Sequence, residues 1–327
     1  MRDSELHIGQ DAVGTLELSD FRLNGSITAK NNPSLTGLVF KSDGPLFRKS
    51  DTITTITLSN MAKLKNFSFP DLGEAGSLIL RDLAALEVFE MPSLYEIRDT
   101  LQIRDIPSLQ HFKPNLKTSS SPFAAGKTEI KNVGLSSLDE FFNSTLPGRS
   151  MTVEDVSNVK TINILNSTID NLSILGKGNL VLNFGCPDCK YEGYIFKSVL
   201  VKSLTVSGLG DMHRNQTRDG YTTVTLGNFT ARQNSFKYLP LDFFNLTSLY
   251  VLDNPDLESM SYDWNSWNYP WKDIVIKGNP KLRMTSIARG SGTSLNATAD
   301  KLMSTFIWPD GPVSTMVFDG TFDNLFL

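Results

Sequence analysis

The segment from Leu78 to Phe112 nearly repeats itself, and this repeat constrains the fold more than any other feature of the sequence. Leu80-Arg-Asp-Leu-Ala-Ala-Leu86 returns 23 residues later as Ile103-Arg-Asp-Ile-Pro-Ser-Leu109. A fixed period in the twenties is typical of solenoids, in which each repeat forms one coil and stacks on its neighbours. The sequence therefore predicts a solenoid whose coils share one continuous core.

An apolar residue, a polar residue and then an Asn or Asp recur along much of the chain, although residues 160–220 blur the pattern. We predict that the Asn or Asp of each coil lies at a turn, because its short side chain can bond backbone amides that a turn leaves unpaired. The proposed turn ladder consists of Asn60, Asp82, Asp105, Asn132, Asp155, Asn228, Asn254 and Asn279.

Short alternating segments such as SLIL and TLQI precede the turn residues and predict one strand per coil. Strands of successive coils should pair in parallel, about 4.8 Å apart, with Leu80 and Ile103 as buried neighbours. The predicted fold is all-β, a leucine-rich-repeat-like right-handed parallel β solenoid with about 22–25 residues per coil and few short helices. We expect one continuous solenoid over 1–327, with two halves at about 1–175 and 176–327 as an alternative division.

Charge and hydropathy exclude several classes of protein. The formal net charge is −4 and no run of basic residues occurs, which argues against a nucleic-acid binder. No apolar stretch approaches the roughly 18 residues that a membrane-spanning helix needs. The first twenty residues hold no apolar signal-peptide core, so the termini taken alone predict a soluble, cytoplasmic chain.

Nine Asn-x-Ser/Thr sequences, the acceptor pattern for N-glycosylation, point instead to a secreted chain. This number is about twice what the composition predicts by chance, and a merely Asn-, Ser- and Thr-rich protein remains the alternative. Asn228 coincides with the turn ladder, so we expect its side chain to face inward and to stay unmodified. The predicted glycosylation sites are Asn24, Asn66, Asn143, Asn166, Asn171, Asn215, Asn245 and Asn296.

The coils between residues 64 and 103 resemble the receptor L-domain superfamily, and more narrowly the fungal secreted, lipid-anchored (GPI-anchored) cell-wall organisation proteins. Phe69-Pro-Asp-Leu72 and Met91-Pro-Ser-Leu94 match the last element of that family's coil. The resemblance is most specific over 50–160 and 245–285. It implies an extracellular or cell-wall glycoprotein without catalytic activity or cofactor, whose partners are wall polysaccharides or surface proteins.

The chain departs from that family at both ends. It shows neither the family's signal peptide nor its Ser/Thr-rich stalk and anchoring tail. Two explanations stay open, namely that the given sequence is truncated or that this member is not anchored at the surface.

Cys186 and Cys189, in GCPDCK, are the only two cysteines. A local disulfide is the simplest interpretation in an oxidising compartment. Free thiols, a redox pair or half of a metal site are the alternatives. The spacing suits a thioredoxin-like site, but the following KYEGYIFKSVL does not resemble the helix that such a site requires.

Three of the four tryptophans cluster between Tyr262 and Trp271. Exposed aromatic rings of Trp264, Trp267 and Trp271 would suit stacking on a sugar, which makes this segment a candidate ligand loop. A loop that covers the end of the core near Trp308 is the other interpretation.

Known catalytic patterns do not fit the chain. AAGKT, from Ala124 to Thr128, lacks the earlier glycine of a phosphate-binding loop, and no nucleophile elbow occurs. The resemblance to the cell-wall organisation proteins implies the expected function, a non-catalytic surface solenoid in cell-wall organisation. A secreted glycan- or peptide-binding ectodomain, which would use the concave strand face or the tryptophan loop, is the first alternative. A polysaccharide-active β-helix enzyme is the second.

Overall fold

The computed structural model describes residues 4–19, 25–41, 53–114, 125–142, 149–164, 167–184, 198–214, 223–241, 244–261, 272–285, 294–302, 305–306, 315–322 and 325–326. Parallel strands of successive coils stack as a β-solenoid, which confirms the predicted fold class. The chain forms two compact units, Met1–Val159 and Lys160–Leu327.

The first unit builds its first five coils from a strand of a main sheet followed by a strand of a second sheet, so the prediction of one strand per coil is wrong here. One 3-10 helix, Asp139–Phe142, interrupts this alternation. The strands in chain order are β1 (Ser4–Ile8), β2 (Gly14–Ser19), β3 (Gly25–Lys30), β4 (Leu35–Lys41), β5 (Ile53–Ser59), β6 (Asn66–Ser68), β7 (Glu74–Arg81), β8 (Val88–Met91), β9 (Glu96–Ile106), β10 (His111–Pro114), β11 (Lys127–Val133) and β12 (Ser150–Glu154). The main sheet has the order β1-β3-β5-β7-β9-β11-β12 and the second sheet β2-β4-β6-β8-β10, with the observed pairs parallel.

Alternation along each strand sends every second side chain into the space between the walls. Leu80 pairs with Ile103, and both are fully buried, as the repeat predicts. Leu58, Ile130 and Val153 continue the same inward column.

A phenylalanine stack fills the core behind the second sheet. The ring centroids of Phe67 and Phe89 are 4.9 Å apart, and those of Phe89 and Phe112 are 5.2 Å apart. Phe141 of the 3-10 helix extends the stack at 5.5 Å from Phe112, beyond the last strand of that sheet. The helix thus supplies the ring that the next strand would have supplied.

One residue at or just after the end of each main-sheet strand from β3 to β12 adopts the left-handed conformation. Asn and Asp tolerate this region better than other non-glycine residues, which explains their recurrence. The backbone amide of Asn60 donates to the carbonyl of Arg81 at 3.2 Å, so the ladder continues through the turn. These residues, with φ between 49° and 57°, are Asn31, Asn60, Asp82, Asp105, Asn132 and Asp155.

The second unit contains more strands of irregular length. Their bounds are β13 (Thr161–Ile164), β14 (Ser167–Phe184), β15 (Ser198–Arg214), β16 (Thr223–Arg232), β17 (Tyr238–Pro240), β18 (Phe244–Asn245), β19 (Ser248–Leu252), β20 (Ser259–Ser261), β21 (Asp273–Lys277), β22 (Met284–Thr285), β23 (Ser294–Leu302), β24 (Thr305–Phe306), β25 (Thr315–Phe322) and β26 (Leu325–Phe326). The main sheet has the order β14-β15-β16-β19-β21-β23-β25. In addition, β13 pairs with β14, and β18 pairs with β16. Smaller sheets have the orders β17-β20-β22 and β24-β26.

Within residues 160–220, where the sequence repeat is unclear, a glycine takes the turn position that Asn or Asp occupies in other coils. Gly208 has φ +64°, and a Cβ there would lie 2.2 Å from the carbonyl oxygen of Gly176 in β14. Only glycine permits this close approach. The pair therefore marks the turn position in the region where no Asn or Asp could be aligned.

Two members of the proposed turn ladder occupy a different position from the one predicted. After Gly208, the positive φ is carried by Gln233, Asp253 and Gly278, and Asn254 and Asn279 each follow one residue later. The residue that follows a left-handed turn residue is buried in the first unit, as Met61 and Leu83 are, and Asn254 is fully buried at the equivalent position.

The predicted turn position and inward orientation of Asn228 are wrong. Asn228 lies within β16, where it pairs with Ser203 and Ser248, and its side chain is exposed. Leu226-Gly-Asn-Phe229 matches Leu58-Ser-Asn-Met61 in residue type, yet β16 continues to Arg232 because neighbouring strands pair with it beyond Asn228. Tertiary pairing, which the local pattern does not contain, decides the outcome.

Candidate functional site

The outer face of the main sheet in the first unit is a polar surface, and we call it the first-unit face. Its side chains belong to the residues that alternate with the buried columns, so they point away from the core. Its rows are Ser26, Thr55, Ser77, Thr100, Lys127 and Ser150; then Thr28, Thr57, Ile79, Gln102, Glu129 and Thr152; and finally Lys30, Ser59, Arg81, Arg104, Lys131 and Glu154.

A hydrogen-bond chain crosses three strands of this face. Nε of Arg81 donates to Oε1 of Gln102, and Nε2 of Gln102 donates to Oε2 of Glu129 at 2.7 Å. Gln102 is only 7% exposed although it points outward, because its neighbours cover it. The chain fixes side chains that would otherwise be mobile, and it presents a row of ordered polar groups.

Ion pairs balance the charge at the edge of the first-unit face. Nζ of Lys131 lies 2.8 Å from Oε1 of Glu154, and this hydrogen bond raises the pKa of Lys131. The amide of Asn132 and then the guanidinium of Arg104 hold the pKa of Asp105 below its ordinary value. The surface therefore offers hydrogen-bond donors and acceptors of both signs, which suits a polar polymer better than a polyanion.

The turn ladder beside this face is largely structural. Nδ2 of Asn60 donates to Oδ1 of Asn31 at 3.0 Å, and Nδ2 of Asn132 donates to Oδ1 of Asp105 at 3.0 Å. The repeated carboxylates thus serve the geometry of the turn.

Buried asparagines perform a related task in the second unit. Asn254 is fully buried, its Nδ2 donates to the carbonyl of Ala231 at 3.1 Å, and its Oδ1 accepts from the backbone amide of Asn234 at 2.9 Å. Oδ1 of Asn279 in turn accepts from the backbone amide of Asn254 at 3.1 Å. Each side chain therefore satisfies backbone groups of the adjacent coil, where unpaired groups are costly.

Arg149, which the sequence analysis did not single out, is buried at the last coil of the first unit. Only 1% of it is exposed, and its Nη2 donates to the carbonyl oxygen of Phe141 at 3.1 Å. Burial lowers the pKa of this guanidinium to about 10. Arg149 ties the 3-10 helix to the start of β12, and no motif in the sequence signals this role.

A small cleft opens beside β10, at the end of the second sheet. His111 and Lys113 project from β10, and Nζ of Lys113 pairs with Oε1 of Glu90 at 2.9 Å. The half-buried ring of Phe112 forms its apolar wall. The complete lining is Gln110, His111, Phe112, Lys113, Leu135, Ser136, Ser137 and Phe141.

A polar cluster of Tyr95, Glu74 and Arg98 lies near the start of β9. The hydroxyl of Tyr95 donates to Oε1 of Glu74, and Arg98 pairs with the same carboxylate. The hydrogen bond to Glu74, followed by burial, raises the pKa of Tyr95 to about 12.

The predicted site residues divide into three groups. Asn66 in β6 and Asn171 in β14 are exposed, and Asn245 and Asn296 lie in β18 and β23. The other predictions lie outside the described residues, so they stay predictions. These are the cysteine pair Cys186 and Cys189, the tryptophans Trp264, Trp267 and Trp271, and the sites Asn24, Asn143, Asn166 and Asn215.

Within the described ranges, no group of three or more His, Cys, Asp or Glu side chains is arranged to hold a metal ion. The same part of the chain contains no helix of the length and hydropathy that a membrane-spanning helix requires.

Comparisons with known proteins found no matching family model, no matching curated protein and no matching solved structure. The resemblance to the receptor L-domain superfamily therefore stays a prediction that rests on the coil motifs.

Proposed function

We propose that the protein is a non-catalytic extracellular solenoid that works in cell-wall organisation or surface integrity. The observation that carries the proposal is the turn ladder. Asp82, Asp105 and Asp155 recur once per coil because each adopts the left-handed turn conformation. Their repetition has a structural cause, and the catalytic carboxylate pair of a β-helix enzyme is not needed to explain it.

The first-unit face is the proposed contact surface for wall polysaccharide. The hydrogen-bond chain from Arg81 through Gln102 to Glu129 orders donors and acceptors on three adjacent strands. Strands repeat about every 4.8 Å, so an extended polymer laid across them would meet similar groups at regular intervals.

The proposal is tested with secreted recombinant protein on insoluble wall polysaccharide. We expect the protein to be retained without the release of reducing ends. Arg104→Ala should weaken retention, whereas Lys41→Ala on the second sheet should not. Each variant removes one surface cation that is held by one ion pair. Release of reducing ends would contradict a non-catalytic role, and equal retention of both variants would contradict the assignment of the face.

The cleft beside β10 favours a second candidate function, a secreted glycan- or peptide-binding ectodomain. It combines the edge of an aromatic ring, two serine hydroxyls and the side chains of His111 and Lys113, which is the mixture that small polar ligands require. Binding on a glycan array that is lost in Ser137→Trp, which fills the cleft, but kept in Ser93→Trp, on an exposed corner, would support it.

A further inference from the structure

Three Asn-x-Ser/Thr sequences occupy one register row on the main sheet of the second unit. Asn171 in β14 aligns through Ser203 of β15 with Asn228 in β16. The row continues through β19 and β21 to Asn296 in β23. These positions are far apart in the sequence, and only the strand register brings them into one line.

At Asn171 and Asn228, the asparagine and the Ser or Thr of the acceptor sequence both face outward. Leu172 and Phe229, which follow Asn171 and Asn228, are buried, and the two asparagines themselves are exposed. Because a strand has a side-chain period of 2, the hydroxyl residue two positions after each asparagine shares its face. The folded sheet therefore has room for a sugar at each asparagine without any change in the core.

We propose that Asn171 and Asn228 carry N-linked glycans, and that Asn296 continues this row. In each transfer, the side-chain amide nitrogen forms a bond to the anomeric carbon of a lipid-pyrophosphate-linked oligosaccharide. The bond from that carbon to the phosphate oxygen breaks, the amide loses one proton, and the lipid pyrophosphate leaves. This inference rests on the extracellular location in the proposed function.

The glycan row screens the outer face of the second unit around Asn171 and Asn228. Asn171 and Asn228 lie two strands apart, at a distance of about 10 Å. Glycans attached to them would cover Thr205, which lies on the strand between them, and Thr230, which lies on the same strand as Asn228. In the described part of the first unit, the Asn-x-Ser/Thr sequence at Asn66 lies on the second sheet. Within the described residues, the first-unit face therefore carries no acceptor asparagine.

Glycopeptide mass spectrometry of the chain, expressed with an added secretion leader in a eukaryotic host, tests the modification. We expect glycan at Asn171 and Asn228. Asn228→Gln and Thr230→Val should each abolish modification at Asn228 and leave modification at Asn171 unchanged. Thr230→Val keeps the side-chain amide of Asn228 and removes only the hydroxyl of the acceptor sequence. Unmodified Asn171 and Asn228 would overturn the inference, whatever the state of Asn66.

Labelling with a polymer-bearing maleimide tests the screening. Thr205→Cys in the second unit and Thr57→Cys on the first-unit face are matched threonines that point outward from main-sheet strands. Enzymatic removal of glycans should speed labelling at position 205 several-fold and leave position 57 unchanged. Equal rates at position 205 would refute the screening. Wall retention, measured on the deglycosylated protein, reports separately on the proposed function.

Discussion

Truncation of Ile103 to alanine tests the register of the core. Ile103 is fully buried in β9 and pairs with Leu80 on one side and Ile130 on the other. The change removes three carbon groups, which costs about 2.4 kcal/mol at roughly 0.8 kcal/mol per buried group. Ladder hydrogen bonds hold both neighbouring strands, so the wall can collapse only in part, and the residual cavity raises the expected cost to about 3–5 kcal/mol.

Ile79→Ala is the matched control. It removes the same three groups from the adjacent strand β7, but Ile79 lies on the outer face and is only partly buried. We expect a cost of about 1 kcal/mol or less, mostly from lost strand propensity. The reasoning fails if urea unfolding, followed by circular dichroism, gives the two variants equal free energies of unfolding.

Hydrogen exchange shows where the damage lies. Stability in stacked coils is approximately a sum of neighbour terms, so Ile103→Ala should reduce protection first in β7, β9 and β11. Uniform loss of protection over the chain would contradict this local coupling.

The remaining predictions concern turns, buried amides and pH. Asp82 has φ 52°, so Asp82→Gly should leave the free energy of unfolding nearly unchanged while Asp82→Ala lowers it by about 1–2 kcal/mol in urea unfolding. Asn254→Ala leaves the carbonyl of Ala231 and the amide of Asn234 without their partner and should cost about 2–4 kcal/mol, against about 1 kcal/mol or less for Asn66→Ala, which lies exposed in a strand. The pKa of Tyr95 is raised to about 12 from its ordinary 10.0, so its contribution to stability is fully present below pH 10 and is lost as the pH rises toward 12. Tyr95→Phe should flatten that decline in a thermal-melting series, and an unchanged slope would show that the bond to Glu74 is not its cause.

The periodic part of the fold could be predicted from the sequence because one coil repeats one environment. The pairing of Leu80 with Ile103 follows from a 23-residue offset and an alternating strand. The first-unit turns follow too, since few residue types accept a positive φ. Both conclusions depend only on local stereochemistry and on repetition.

The second unit was harder because one residue pattern serves two geometries. Apolar-x-Asn places the asparagine on the turn at Asn60, in the interior at Asn254 and in the middle of a strand at Asn228. Only the pairing of neighbouring strands distinguishes these cases. Arg149 carries no pattern at all, because its environment is formed by a helix and a strand of the last coil of the first unit.

The phenylalanine stack has a consequence for how this chain can change in length. Its rings remain in contact from Phe67 to Phe141 although strand pairing in the second sheet ends at β10. Core continuity at this wall depends on one ring per coil and not on a fixed number of backbone residues. The step from Asp105 to Asn132 is accordingly 27 residues where the preceding step is 23. In homologous sequences, insertions and deletions should therefore accumulate at the wall after β10. The number of residues from each main-sheet strand to its turn should stay constant.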